Sequence, residues 1–173
     1  MKEFADSHFA ALTQVVPDAK RLMLFDYDDD ATYHPEPNNP VLYEWKRKNI
    51  ENYLLVPDAW VRAAYKQVDI DSGSLFAQPV SKIINTFFEN ENLTLPRGKK
   101  WKDVMANVFV IVDGKKILFE GNNSLFQILR KNEPSIELIK ETIAINMTAD
   151  EIHNDVYGFF DKLKQVVTDV KDN

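Results

Sequence analysis

This sequence predicts an α/β fold with a largely helical C-terminal third, and three observations carry that reading. Leu22 to Phe25 is a short apolar run that opens abruptly into acids, as a buried strand does where it leaves a sheet. Val80, Ile83, Ile84, Phe87 and Phe88 make an i, i+3, i+4, i+7, i+8 stripe, the signature of one helix face against a core. From Lys115 onward, three successive segments keep helical spacing. With 173 residues, 45% of them hydrophobic, the chain is long enough for one domain with its own core.

The elements follow in order. Residues 2 to 15 place Phe4, Phe9 and Leu12 at helical spacing, and Pro17-Asp18 ends that helix. The strand Leu22 to Phe25 comes next. DATYHPEPNNP, with three prolines and two asparagines, is a loop. VLYEW suits a short strand, and Asn49 to Leu55 followed by PDAWVRAAYKQV reads as helical, with Pro57 at a tolerated first-turn position and Val56 extended before it. DIDSGS is a linker to the striped helix, and LTLPRGKK is another break. VFVIV, closed by Asp113-Gly114, predicts a strand and a turn. KKILFEGNNSLFQILRKN, SIELIKETIAINM and TADEIHNDVYGFFDKLKQVV predict helices, with Pro134-Ser135 and Thr148 as starts.

Composition excludes several classes. Without cysteine there is neither a disulfide framework nor a thiolate metal site. The first twenty residues lack a basic start and a long apolar run, so they do not read as a signal peptide. No stretch reaches the roughly 18 apolar residues of a membrane span. A cytoplasmic setting is the expectation, and the N-x-S/T triplets at Asn92, Asn122 and Asn146 then carry no glycosylation meaning. The net charge of −6 argues against a nucleic-acid coat protein but not against a nuclease, whose carboxylates a divalent metal neutralises.

Asp26, Asp28, Asp29 and Asp30 put four carboxylates in five positions directly after the first strand. Such a cluster repels itself unless it is solvated, bonded to backbone N–H groups or neutralised by a hard cation. A solvated acidic turn satisfies the residue types as well as a cation site does. Position favours the site, because ligands of open α/β sheets bind beyond the carboxyl ends of strands. An EF-hand starting at Asp26 fails, since Ala31 and Pro37 stand where glycine and glutamate are required. A haloacid-dehalogenase-like phosphatase shares the strand and the Asp26-Tyr27-Asp28 pattern. It continues with glycine, then threonine or valine, where this chain has Asp29 and Asp30.

Trp45 to Leu55 joins a basic patch, Lys46, Arg47 and Lys48, to Glu51 in an apolar frame of Ile50, Tyr53, Leu54 and Leu55. A D-x-D after a strand, IENYLL about 20 residues later, and an Asp-Gly-Lys turn before helices together resemble the C-terminal Toprim domain of overcoming-lysogenization-defect ATPase-nucleases. The resemblance runs from about Leu22 to Ile152.

The resemblance implies a Rossmann-like small parallel sheet with flanking helices. Residues 1–113 would be its metal-binding core and 114–173 a helical extension of the same domain. It implies that Asp26, Asp28 and Glu51 hold Mg²⁺ or Mn²⁺, and that Lys115, directly after the glycine, assists as the fourth catalytic residue. Lys46, Arg47, Lys48 and Lys116 are then expected to meet the phosphates of DNA. The implied function is a divalent-metal-dependent DNA phosphodiesterase linked to an ATPase domain, with antiphage defence as its setting and a homodimer as a further partner expectation. The implied earlier strand ending in glutamate is not matched, because Glu3 follows only Met1 and Lys2, and no G-x-x-x-x-G-K-[ST] motif occurs. A fragment of a longer chain or a diverged domain accounts for both. The rival reading is a non-catalytic dimerisation or partner-binding remnant of the same frame, and the phosphatase ranks third.

The other chemical residue types fit structural roles. His8, His34 and His153 lie apart without i, i+4 spacing and read as surface residues. Trp60 reads as core, and Tyr157, Phe159, Phe160 and Leu163 as the packing stripe of the last helix. Neither G-x-S-x-G nor G-x-G-x-x-G is present.

Overall fold

The computed structural model describes residues 2–28, 34, 36, 39–68 and 77–168. Two short strands, β1 (Met23–Phe25) and β2 (Leu42–Glu44), pair in parallel with Met23 opposite Leu42 and Phe25 opposite Glu44. Parallel pairing needs a crossover of a dozen residues or more, and the proline-rich stretch between the strands supplies that length. Both strands point their carboxyl ends the same way, so Asp26 and the chain after Glu44 emerge at one edge. Asp29, Asp30 and half of the crossover lie outside the described residues, as does the DIDSGS linker.

Helices make up most of the rest: α1 (Lys2–Val15), α2 (Pro57–Gln67), α3 (Ala77–Asn90), α4 (Asn107–Ile111), α5 (Leu125–Asn132), α6 (Lys140–Ala144) and α7 (Asn154–Thr168). A 3₁₀ turn at Ile50–Leu54 leads into α2, where Pro57 occupies the first turn after an extended Val56. Asn92 at φ 57° ends α3 in the left-handed conformation, and the Leu93 N–H returns to the Phe88 carbonyl at 2.8 Å. Ser124 caps α5 by accepting from the Gln127 N–H.

The core forms where α2 packs on α3 and α6, and α3 on α5. Trp60, Ile84, Phe88, Leu118, Leu129 and Ile143 are fully enclosed, each side chain contributing about 1.5–3 kcal/mol of apolar burial. Trp60 also donates its indole N–H to the Leu54 carbonyl at 2.9 Å, tying α2 to the turn before it. Buried side chains come from both sides of residue 113, so the two halves of the chain share one core.

Four expectations need correction. VFVIV forms the helix α4 rather than a strand. Its Phe109 and Val112 carbonyls are taken by the Asn52 amide and its Val110 carbonyl by the Lys48 N–H, a tertiary demand that overrides β-propensity. SIELIKETIAINM is helical only over Lys140–Ala144. Before it, the Gln67 side chain pairs with both backbone groups of Glu137, at 2.9 Å each, and Ile136 and Leu138 are buried. Thr148 opens only a single turn, in which the Glu151 carboxylate accepts the Thr148 N–H at 2.8 Å and the Glu151 N–H returns to the Thr148 carbonyl at 2.9 Å; α7 starts at Asn154. Along α7, Phe159 packs against Tyr43 and Trp45, whereas Tyr157, Phe160 and Leu163 face outward.

Candidate functional site

The carboxyl edge of the two strands gathers the residues singled out by the sequence. Asp26 follows β1 directly. Glu51 sits on the 3₁₀ turn that follows β2, and Lys115 on the turn between α4 and the π-helical turn Lys116–Glu120. Asp26 keeps an exposed edge, yet its carboxyl is held above the usual carboxylate range. The protein crowding one side is the main cause and the charge of Glu51 the second, while the Lys115 ammonium opposes both. These three residues, from three separate stretches, therefore act on one another through their charges. Asp28, two residues on, is exposed.

Glu51 is only 5% exposed, and its carboxylate is bonded by the Lys140 ammonium at the start of α6. Burying a carboxylate without a cation is costly, and Lys140 supplies the cation here. Lys115 points into solvent and bonds Glu120 at 3.0 Å, which raises its pKa and keeps it charged.

Asn52 ties the turns together. Its amide donates to the Phe109 and Val112 carbonyls at 2.9 and 2.8 Å, and its oxygen accepts the Gly114 N–H at 3.0 Å. The approach is so close that a Cβ on Gly114 would stand 2.5 Å from that oxygen, so glycine is required there by space. Asn49 adds a bond to Asp113 at 3.2 Å, and Asp113 in turn accepts the Lys116 N–H at 3.0 Å.

The expected phosphate-binding patch divides in two. Lys46, Lys48 and Lys116 are exposed, but Arg47 is 3% exposed and turned inward. Its guanidinium donates to the Asn52 and Val104 carbonyls at 2.7 and 2.6 Å and lies over the rings of Tyr53 and Phe109. Burial lowers its pKa to about 10, still charged at neutral pH. Arg47 braces the site from within and is not placed to meet a phosphate.

A further buried polar group, with no signal in the sequence, is Asp155. At the start of α7, it accepts from the hydroxyls of Tyr43 and Tyr53 and from the Lys46 N–H at 2.9 Å. Burial first, and then the bonds to Asp155, raise the pKa of both tyrosines. His153 corrects the surface reading: it is 4% exposed, and burial and the nearby Arg47 charge lower its pKa to about 4.

Lys140, Asn52 and Asp155 carry faint signals at most. Lys140 is a lone cation beside Glu141 in a mixed stretch, and Asn52 sits inside IENYLL beside the glutamate that drew attention. Among the described residues, no three Asp, Glu or His side chains converge closely enough to hold a metal by themselves. No protein-family model, no curated protein and no solved structure matches the chain.

Proposed function

We propose that this chain is the phosphodiester-cleaving domain of an ATPase-linked nuclease, working with Mg²⁺ or Mn²⁺ on DNA. One observation carries the reading: Asp26, Glu51 and Lys115, picked from separate motifs, interact at the carboxyl edge of a parallel pair of strands. The donor set suits a hard cation, being carboxylate oxygen throughout. The carboxyl of Asp26 is raised first by the protein crowding it and then by the charge of Glu51, and a bound cation would offset both. Asp26, Asp28 and Glu51 would hold it. One or two protein carboxylates commonly suffice for Mg²⁺, which keeps water and substrate phosphate in its other positions.

When bound, such a cation lowers the pKa of water and offsets charge on the scissile phosphate. Lys115, charged and exposed, is available to the phosphate oxygens as charge builds on them. Lys46, Lys48 and Lys116 lend sequence-independent attraction for the strand. Asn52, Gly114 and Arg47 fix the turns bearing Glu51 and Lys115, so their positioning costs little at the moment of reaction. An ATPase partner and a homodimer belong to the same proposal.

The second reading, a partner-binding domain without catalysis, draws support from the outward Phe160, Leu163 and Val167 of α7. Calorimetric titration of Mn²⁺ into the chain and into Asp26→Asn/Asp28→Asn and Glu51→Gln separates the two. Heat that disappears in the variants supports the nuclease reading and should accompany Mn²⁺-dependent plasmid cleavage. Equal heats in all three proteins, or none in any, would move the assignment to the partner-binding domain.

A further inference from the structure

Among the described residues three acidic side chains are buried, Glu51, Glu151 and Asp155, and they are held in different ways. Asp155 accepts from two tyrosine hydroxyls and from the Lys46 backbone N–H. Glu151 accepts from Arg62, itself tied to the Asn146 carbonyl, and from the Thr148 backbone N–H. Neither could change partner without unmaking bonds that hold the backbone. Glu51 has no such anchor: among the described residues the hydrogen bond to its carboxylate comes from the Lys140 ammonium alone.

That pair is lopsided. The Glu51 side chain is 6% exposed and the Lys140 side chain 45%, so the acid is fixed in the interior and its cation reaches in from the solvent side on a flexible stem. A lysine ammonium is compact and strongly hydrated, and it regains water readily on leaving. Lys140 also has a second seat. Its Nζ lies 5.6 Å from the centre of the Phe119 ring, within range of cation–π attraction, and that ring packs on Trp60 with centroids 5.4 Å apart. Phe119 belongs to the turn Lys116–Glu120, whose Glu120 bonds Lys115 at 3.0 Å. An ammonium resting on the ring therefore stays on the turn that also steadies Lys115.

We propose that Lys140 is a stand-in cation: it neutralises Glu51 while no divalent cation is bound, yields the carboxylate when one arrives, and offers the freed ammonium to the substrate phosphate. The inference rests on the nuclease reading and deepens it. Glu51 is spared an unpaired buried charge, and the exchange makes metal and phosphate each strengthen the binding of the other, because the phosphate captures the ammonium that the metal must displace.

The test titrates Mn²⁺ calorimetrically into the parent chain, into Lys140→Met, which keeps a stem without the charge, and into Lys140→Arg, whose planar fork grips a carboxylate more firmly. Lys140→Met should bind Mn²⁺ about fivefold more tightly or better, and Lys140→Arg more weakly than the parent. A phosphorothioate dinucleotide, as the phosphate probe, should tighten Mn²⁺ binding more in the parent than in Lys140→Met. The parent chain supplies a readout that needs no substitution: saturating Mn²⁺ should increase acetylation of Lys140, followed by mass spectrometry, and leave that of the exposed Lys164 unchanged. Equal Mn²⁺ affinity in the parent and Lys140→Met overturns the stand-in role, as does Lys140 acetylation unmoved by Mn²⁺ whose heat Asp26→Asn/Asp28→Asn abolishes. Either result leaves the nuclease reading standing, with Lys140 as a structural partner of Glu51. Heat absent from the parent and Lys140→Met alike defeats both readings together, whereas heat that appears only in Lys140→Met supports both.

Discussion

The side-chain oxygen of Asn52 accepts the backbone N–H of Gly114 at 3.0 Å, across 62 residues of chain. Through that bond the turn bearing Glu51 fixes the turn bearing Lys115. Asn52→Leu would strand the Gly114 N–H and the Phe109 and Val112 carbonyls together, and a loss of at least about 2 kcal/mol is expected. Gly114→Ala meets the backbone of Asn52 at 2.8 Å as well as its oxygen, so it should cost about 1–3 kcal/mol by overpacking. Denaturant unfolding midpoints check both; an unchanged Gly114→Ala midpoint would show that the turns are not so tightly joined.

Lys140→Ala removes the cation from a nearly buried Glu51. Because Lys140 itself is about half exposed, the loss should be smaller than for a fully buried pair, about 1–3 kcal/mol. If Glu51 also serves a divalent cation, Mn²⁺ should stabilise this variant more than the parent in thermal melts. Identical Mn²⁺ shifts would remove Glu51 from the ligand set.

Arg47 and its lysine neighbours should part company in experiment. Arg47→Lys gives up two carbonyl bonds and ring contacts in the interior, so it should lower stability by about 1–3 kcal/mol. Lys46→Ala and Lys48→Ala should leave the melting curve nearly unchanged. Each should instead weaken DNA binding and reduce the slope of log K against log salt by about one. A large stability loss in Lys48→Ala would contradict this division.

His153 gives the fold an acid sensitivity of definite sign. Its pKa is about 4 in the folded chain against an ordinary 6.5, so the folded state disfavours the proton. Its contribution is fully present above about pH 6.5, is lost as pH falls toward 4, and changes no further below that. Stability measured between pH 7 and 4 should fall more steeply in the parent than in His153→Phe. Parallel curves would mean that the imidazole is as accessible to protons when folded as when unfolded.

The sequence revealed the helices with strong stripes and the two short apolar strands, because periodicity and burial are local properties. Leu22 to Phe25 and VLYEW lie where strands form, and the α3 stripe buries Val80, Ile84, Phe87 and Phe88. VFVIV misled because strand propensity says nothing of which partner claims the carbonyls, and Asn52 claims them from 57 residues away. Thr148 looked like a helix cap and does make the reciprocal bond with Glu151, but the turn it opens is not continued and the long helix begins six residues later, at Asn154. Asp26, Glu51 and Lys115 were legible as residue types in motifs. Lys140, Asp155 and the inward Arg47 were not, since a charge that neutralises another inside the fold looks in sequence like any exposed charge.

The partnership of Glu51 with Lys140 also bears on biosynthesis. The two lie 89 residues apart, and Lys115 falls between them. A ribosome making this chain releases both strands and the acidic turn well before the ammonium that balances Glu51. Until residue 140 has emerged, the nascent domain carries an uncompensated carboxylate and an unfinished core, and the phosphate-attacking arrangement proposed for it does not yet exist. Synthesis from one end would thus hold back the cleavage proposed here until residue 140 is available to fold.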